Sequence, residues 1–89
     1  MHIRFHTRWQ GEQALYSDVL DLPQVPRVGD VVAVDLRGEG GRTWHQVGVV
    51  VWLNEDDAGS PVAELFCTPA DQLATIQTVI PGYQAHNPF

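Results

Sequence analysis

The sequence contains no lysine and only one cysteine, Cys67, among its 89 residues. A single cysteine cannot form an intramolecular disulfide or supply a cysteine-based zinc site. Five arginines stand against eleven acidic residues, which gives a net charge of −6. Because affinity for nucleic acids and for anionic membranes depends on basic side chains, this balance predicts a protein that binds neither.

Long apolar runs are also missing. No stretch of about 18 apolar residues occurs, as a membrane-spanning helix would need, and residues 1–9 lack the apolar core of a signal peptide. We therefore expect a cytoplasmic protein. With 44% hydrophobic and 18% charged residues, the composition is typical of a globular domain. We place one small β domain at residues 1–80 and a C-terminal tail at residues 81–89.

The most prominent feature present is an uncharged run rich in valine, QVGVVVWL, over residues 46–53. A continuous apolar run of this length is typical of a strand that is buried on both faces. Strict alternation separates the odd-numbered valines from Val50 and Trp52, and Trp44 then shares a face with Trp52. That face either packs under the terminal segment or forms an interface.

Four further segments carry strand-like alternation, at about residues 2–9, 13–22, 27–36 and 62–67. Alternation places Ile3, Phe5 and Trp9 on one face of the first segment and Ala63, Leu65 and Cys67 on one face of the last. In the second segment the apolar phase slips where Val19 and Leu20 stand together, which predicts a β-bulge near Asp18. In the third, Gly29 and Asp30 predict a turn. Five strands in short succession with tight turns are typical of a meander that rolls into a small barrel.

The segment after the fifth strand allows two interpretations. Thr68 is a suitable N-cap and Pro69 suits a first helical position, which predicts a short helix over residues 69–76 that buries Leu73 and Ile76. The β-branched composition of residues 75–80 also suits a sixth strand. We favour the helix, followed by an extended piece, and expect a mainly β fold: a small, strongly bent antiparallel sheet or barrel of five or six strands.

Two stretches carry a family resemblance: PRVGDVVAVDL at residues 26–36 and WHQVGVVVWL at residues 44–53. Together they resemble small SH3-like β-barrels, in which P-x-x-G-D-x-V opens a strand and a loop leads to a V-x-x-V-x-W strand. They are similar in particular to short uncharacterised proteins carried by phages, plasmids and gene cassettes. The resemblance covers about residues 22–53 and implies an SH3-like fold and an origin in a mobile genetic element. It implies no catalytic residue.

Residues with catalytic or metal-binding chemistry do not form a motif. The four histidines are not spaced to chelate one ion, and the acidic cluster at residues 55–57 lacks the ligand pattern of a calcium loop. Cys67 ends an apolar strand and is expected to be a buried, inert thiol. The sequence therefore predicts no catalytic residue, no metal and no cofactor.

The aromatic residues give the best indication of a binding site. The candidate binding residues are Trp9, Tyr16, Trp44, His45 and Trp52. Our leading hypothesis is a non-enzymatic binding module, an accessory protein of a mobile genetic element that acts through protein–protein contact. The alternative is a small-molecule-binding protein or small enzyme with a pocket near Trp44, His45 and Trp52. A third hypothesis is an acidic inhibitor that mimics nucleic acid.

Self-association is the remaining expectation. An open sheet has free edges, and residues 2–9 are a candidate edge strand whose outer face carries Arg4 and Arg8. The face around Trp52 offers an apolar alternative. Since a two-fold dimer needs only one self-complementary patch, we predict a homodimer through one of these two surfaces.

Overall fold

The structure is a computed structural model that describes residues 1–8, 15–35, 38, 41–54 and 60–84. The elements are β1 (His2–Arg8), β2 (Leu15–Asp21), β3 (Val31–Val34), β4 (Thr43–Trp52), β5 (Ala63–Ala70) and α1 (Gln72–Gln77). The five strands form one sheet in the order β2-β1-β5-β4-β3, which curls into a half-barrel. The predicted mainly β fold with one short helix is confirmed, and the half-barrel is compatible with an SH3-like architecture.

The sheet is built from a hairpin and a meander. Strands β1 and β2 pair antiparallel, as do β3 with β4 and β4 with β5, whereas β1 and β5 pair parallel and join the two units. Strand β1 therefore lies between β2 and β5, and the prediction that residues 2–9 form a sheet edge is wrong. Its polar outer side chains reflect one exposed face, which a central strand of a one-layer sheet also has.

One face of the sheet holds the core. The buried apolar residues are Ile3, Phe5, Val34, Val47, Ala63, Leu65 and Cys67. They alternate with outward-facing residues on β1 and β5, as predicted for both strands. Partly buried side chains from β2, β3 and the β2–β3 connection close this inner face. The other face has no second layer within the described residues, so we call it the outer face.

The only β-bulge in the described pairing lies in β4 and not in β2. The register between β1 and β2 is continuous, so the predicted bulge near Asp18 is wrong; the phase slip arises because Val19 is an exposed apolar residue on the outer face. In β4 the register shifts between Val47 and Val49. A Cβ atom at Gly48 would lie 3.4 Å from the carbonyl oxygen of Phe66, so glycine suits this close approach.

This bulge reverses the faces of the second half of β4. Before it, His45 and Val47 point into the core, and after it Val50 and Trp52 pair with the inward-facing residues of β5. The run at residues 46–53 is therefore not buried on both faces. Trp44 lies on the outer side of the ladder, so the prediction that it shares a face with Trp52 is also wrong.

The C-terminal segment starts its helix later than predicted. Thr68 and Pro69 are still part of β5, and the N-cap is Asp71, whose side chain accepts a hydrogen bond from the Ala74 amide at 2.8 Å. Helix α1 buries none of its residues; Leu73 is 36% exposed, which contradicts its predicted burial. Residues 78–82 form turns, so the expected extended piece and the alternative sixth strand are absent from the described segment.

Candidate interaction surface

Cross-strand register divides the outer face into a polar half and an apolar half. One row across β2, β1, β5 and β4 consists of Val19, Arg4, Glu64 and Val51, and the next consists of Ser17, His6, Phe66 and Val49. The β1 side of each row carries charge or imidazole, and the β4 side carries valine. Neighbours in a row lie close enough to contact each other.

The polar half is organised around His6. Its Nδ1 lies 2.7 Å from the Ser17 hydroxyl oxygen, and its Nε2 lies 2.6 Å from Oε1 of Glu64. An ionised carboxylate only accepts, so Nε2–H donates to Glu64, and Nδ1 shares the second hydrogen bond with the Ser17 hydroxyl. Arg4 places a guanidinium nitrogen 3.8 Å from the same Glu64 oxygen. We call these four residues the His6 cluster.

The His6 cluster has the composition of a nucleophilic relay, since hydroxyl, imidazole and carboxylate stand in line. A catalytic serine also needs a substrate-binding depression beside it. Ser17 is exposed on an outer strand, and the groove described below lies at a different place. What the cluster does in this geometry is to bond β2, β1 and β5 to one another and to fix the imidazole ring.

That fixed ring positions an aromatic neighbour. The imidazole of His6 stacks on Phe66, with ring centroids 4.8 Å apart and an interplanar angle of 18°. Phe66 is nevertheless 42% exposed and stands opposite Val49, which is 51% exposed. Val51, in the adjacent row, is 38% exposed. We call Phe66, Val49 and Val51 the apolar patch; contiguous exposed apolar side chains of this kind mark interaction sites.

The second half of β4 also has an open side. Strand β3 pairs with β4 only as far as Gln46, and backbone bonds from Gly29 and Asp30 extend this contact to Val47. No strand of the described chain pairs with that side of residues 48–52, which we call the β4 free edge. The Leu53 amide donates to the carbonyl of Val62, the residue just before β5, so by alternation the amides of Val50 and Trp52 point away from β5.

The predicted binding residues do not come together. Trp52 is 68% exposed at one end of β4, whereas Trp44 and His45 stand at the other end and point to opposite faces. Tyr16 is partly buried and packs against the core. The predicted pocket near Trp44, His45 and Trp52 is therefore not formed by these residues. Trp9 lies outside the described residues, as does the acidic cluster at residues 55–57.

His45 belongs to the core. It is 1% exposed, its ring nitrogens lie 2.9 Å from the Thr7 hydroxyl and 2.6 Å from the Thr43 hydroxyl, and its ring meets Phe5 edge-on at 5.5 Å. Burial lowers the pKa of His45 below its ordinary value of 6.5. Both nitrogens are thus satisfied while the ring is neutral, and the residue links β1 to β4 through the core.

The arginines proposed for an interface have different surroundings. Arg4 belongs to the His6 cluster on a central strand, and Arg8 is exposed at the end of β1. An open groove with a volume of about 460 Å³ lies elsewhere, between the β2–β3 connection and β3, and is lined by residues 22–24, 26 and 30–33. No pattern in the sequence predicts this groove, because its two walls meet only through the fold.

The His6 cluster was also missed from the sequence. Ser17 is 11 residues and Glu64 58 residues from His6, and no spacing rule connects three residues on three strands before the strand order is known. Within the described ranges, no group of three or more histidine, cysteine, aspartate or glutamate side chains is placed to hold a metal ion. No described helix is both long and apolar enough to span a bilayer.

Comparison with other proteins returns no relative: no family model matches the sequence, and neither curated proteins nor solved structures give a match.

Proposed function

We propose that this protein is a non-enzymatic binding module that acts through protein–protein contact. The observation that carries this proposal is the apolar patch on the outer face, where Phe66, Val49 and Val51 are each more than a third exposed. A sheet face of this kind gives a partner a flat, preformed surface, and its backbone is already fixed by strand pairing. Phe66 serves as the aromatic anchor at the centre of the contact.

The His6 cluster supports this role by holding the anchor. Stacking against His6 restricts the Phe66 ring, and the two hydrogen bonds to Ser17 and Glu64 fix the imidazole from both sides. A restricted aromatic side chain loses less conformational entropy when a partner covers it. The partner that fits is a protein with an apolar contact surface, and the net charge of −6 favours association with a basic one.

The wider setting of the proposal rests on the sequence. The resemblance of residues 22–53 to small SH3-like proteins of phages, plasmids and gene cassettes supports a role as an accessory protein of a mobile genetic element. The acidic, lysine-free composition supports a protein with no affinity for nucleic acids or anionic membranes. We also propose that the protein is cytoplasmic and that it is a homodimer.

Capture of partners from lysate of the source cell tests the proposal. Wild-type protein, Phe66→Ser and Val19→Ser serve as baits. Val19 is a matched control, since it is 49% exposed on the same outer face, outside the apolar patch. We expect a protein that binds wild type and Val19→Ser and is lost with Phe66→Ser. Equal capture by all three baits would contradict a role for the apolar patch.

A small-molecule-binding protein is the second candidate, and the open groove of about 460 Å³ favours it. A volume in this range fits a small ligand. A metabolite screen by thermal shift tests it: reproducible stabilisation of wild type that Val31→Glu abolishes supports ligand binding in the groove. The third hypothesis, an acidic mimic of nucleic acid, needs carboxylates that form a phosphate-like stripe, whereas the acids are scattered along the sequence and Arg4 and Arg8 interrupt them.

A further inference from the structure

The β4 free edge is unusual because nothing on it discourages pairing. Natural sheet edges carry charged residues, proline or bulges that obstruct a second strand. Residues 48–52 read Gly-Val-Val-Val-Trp and contain no charge and no proline. The bulge lies at the start of this stretch, and from Val49 to Trp52 the pairing with β5 is regular. From Val49 to Trp52 the edge therefore presents an uncharged, apolar template to another strand.

The same five residues are complementary to themselves. If two copies meet antiparallel with Val50 on the two-fold axis, the two Val50 residues face each other, Val49 faces Val51, and Trp52 faces Gly48. The amide of Val50 points away from β5, so the two Val50 residues exchange a pair of backbone hydrogen bonds. Trp52, 68% exposed, lies opposite a residue that has no side chain, which leaves room for its indole ring.

Charge also permits this contact. The chain carries a net charge of −6, so two copies repel each other at long range. The facing stretches themselves are uncharged, and the nearest described acid in the rows above, Glu64, is already bonded to His6 and lies near Arg4. The apolar edge itself thus adds no charge to the repulsion between two copies.

We infer that two copies of this chain pair through the β4 free edge, antiparallel and with Val50 on the two-fold axis. This inference specifies the homodimer proposed above. It joins the two sheets into one and brings the apolar patches of both copies together across the seam, because Val49 of one copy lies beside Val51 of the other. A partner then meets a doubled patch with a His6 cluster on each side.

Paired charge substitutions test the register directly. Val49→Lys with Val51→Lys places like charges opposite each other across the seam, whereas Val49→Glu with Val51→Lys places opposite charges there. Both positions are exposed on the outer face, so neither double variant removes a core side chain. Val19→Lys, on β2, is the matched control at the other end of the sheet. Each protein is measured by sedimentation over a range of micromolar concentrations, and its fold is checked by circular dichroism.

We expect wild type, Val19→Lys and the Glu/Lys variant to sediment as dimers and the Lys/Lys variant to dissociate at least tenfold more easily. Wild type that stays monomeric throughout would overturn the inference, as would equal dimerisation of the two double variants. These outcomes are separate from the partner proposal, which Phe66→Ser tests. A monomer that still captures a Phe66-dependent partner would refute the dimer and leave the binding module standing.

Discussion

Two of the open edges in the described sheet, the outer side of β2 and the β4 free edge, differ in how their backbone donors are used. On β2 the amide of Val19 donates to Oδ1 of Asp18 at 2.7 Å, so one outward donor is already used by a side chain. Asp21, on the same strand, pairs with the N-terminal ammonium group at 3.1 Å. The β4 free edge has no charged residue at all. The chain thus protects one edge and leaves the other unprotected.

This difference indicates that the two edges have different roles. An unprotected apolar edge invites non-specific association, and proteins remain soluble by blocking such edges. Since β2 carries such protection, its absence over residues 48–52 supports the proposal that a second strand occupies this edge.

The largest loss of stability should come from a substitution in the core that both edges share. Phe5 is fully buried on central strand β1, and Phe5→Ala should lower the free energy of unfolding by about 3–5 kcal/mol. Urea denaturation measures this loss. Val28→Ala is the control, because Val28 is 65% exposed and such sites usually change stability by less than about 0.5 kcal/mol. Equal losses in both variants would show that the core is not where we place it.

Acid should weaken the link between β1 and β4. Because burial lowers the pKa of His45 below 6.5, the ring is neutral in the folded state. Its contribution to the free energy of unfolding is therefore complete above pH 6.5, the pKa of histidine in the unfolded chain, and is lost as the pH falls below 6.5. The free energy of unfolding, measured from about pH 7 to pH 5, should fall with pH, and it should fall less steeply in His45→Gln. His2→Gln, at an exposed position, should keep the wild-type slope. A wild-type slope in His45→Gln would contradict the buried neutral ring.

Removing the Asp18 side chain, which accepts from the outward Val19 amide of β2, should change stability less. Asp18→Ala frees the Val19 amide and costs about 0.5–1.5 kcal/mol for the lost hydrogen bond. It also makes the edge of β2 more like that of β4, so we expect Asp18→Ala to self-associate. Asp18→Asn keeps the accepting side-chain oxygen and should self-associate less than Asp18→Ala. Sedimentation at increasing concentration measures it. If Asp18→Ala behaves as wild type, the side chain does not protect this edge.

Chemical labelling of Cys67 probes the smallest of these changes, local opening of the sheet between β4 and β5. Burial raises the pKa of this thiol to about 11, so it should react slowly with a disulfide reagent near pH 8 and rapidly in urea. Cys67 stands opposite Val47, beside the bulge of β4, and its labelling rate therefore reports opening of the β4 side. Fast reaction in the native protein would show that β4 and β5 separate readily.

Local patterning sufficed to predict the strands. Alternation placed Ile3 and Phe5 inward on β1, and it placed Leu65 and Cys67 inward on β5. These are buried in the structure. Such predictions succeed because a strand with one wet face repeats every two residues. The turn at Gly29 was also predictable, since its φ of +94° favours glycine.

What failed depended on contacts between strands. The bulge at Gly48 is set by the close approach of β5, so strict alternation misplaced Trp44 and Trp52. The parallel pairing of β1 with β5 is equally invisible in local sequence, and so is the meeting of His6 with Glu64. Of the candidate site, the aromatic content was predictable, but the neighbours of each aromatic residue were not.

Amide hydrogen exchange of the two edges tests the central claim most directly. The Val50 amide points to the open side of β4; on β2 the Leu22 amide bonds the Met1 carbonyl, so by alternation the Ser17 amide points to the open side there. If a second copy occupies β4, Val50 exchanges slowly, and more slowly as the protein concentration rises, while Ser17 exchanges fast at every concentration. If Val50 exchanges as fast as Ser17 at all concentrations, the β4 edge is unoccupied and the account is wrong.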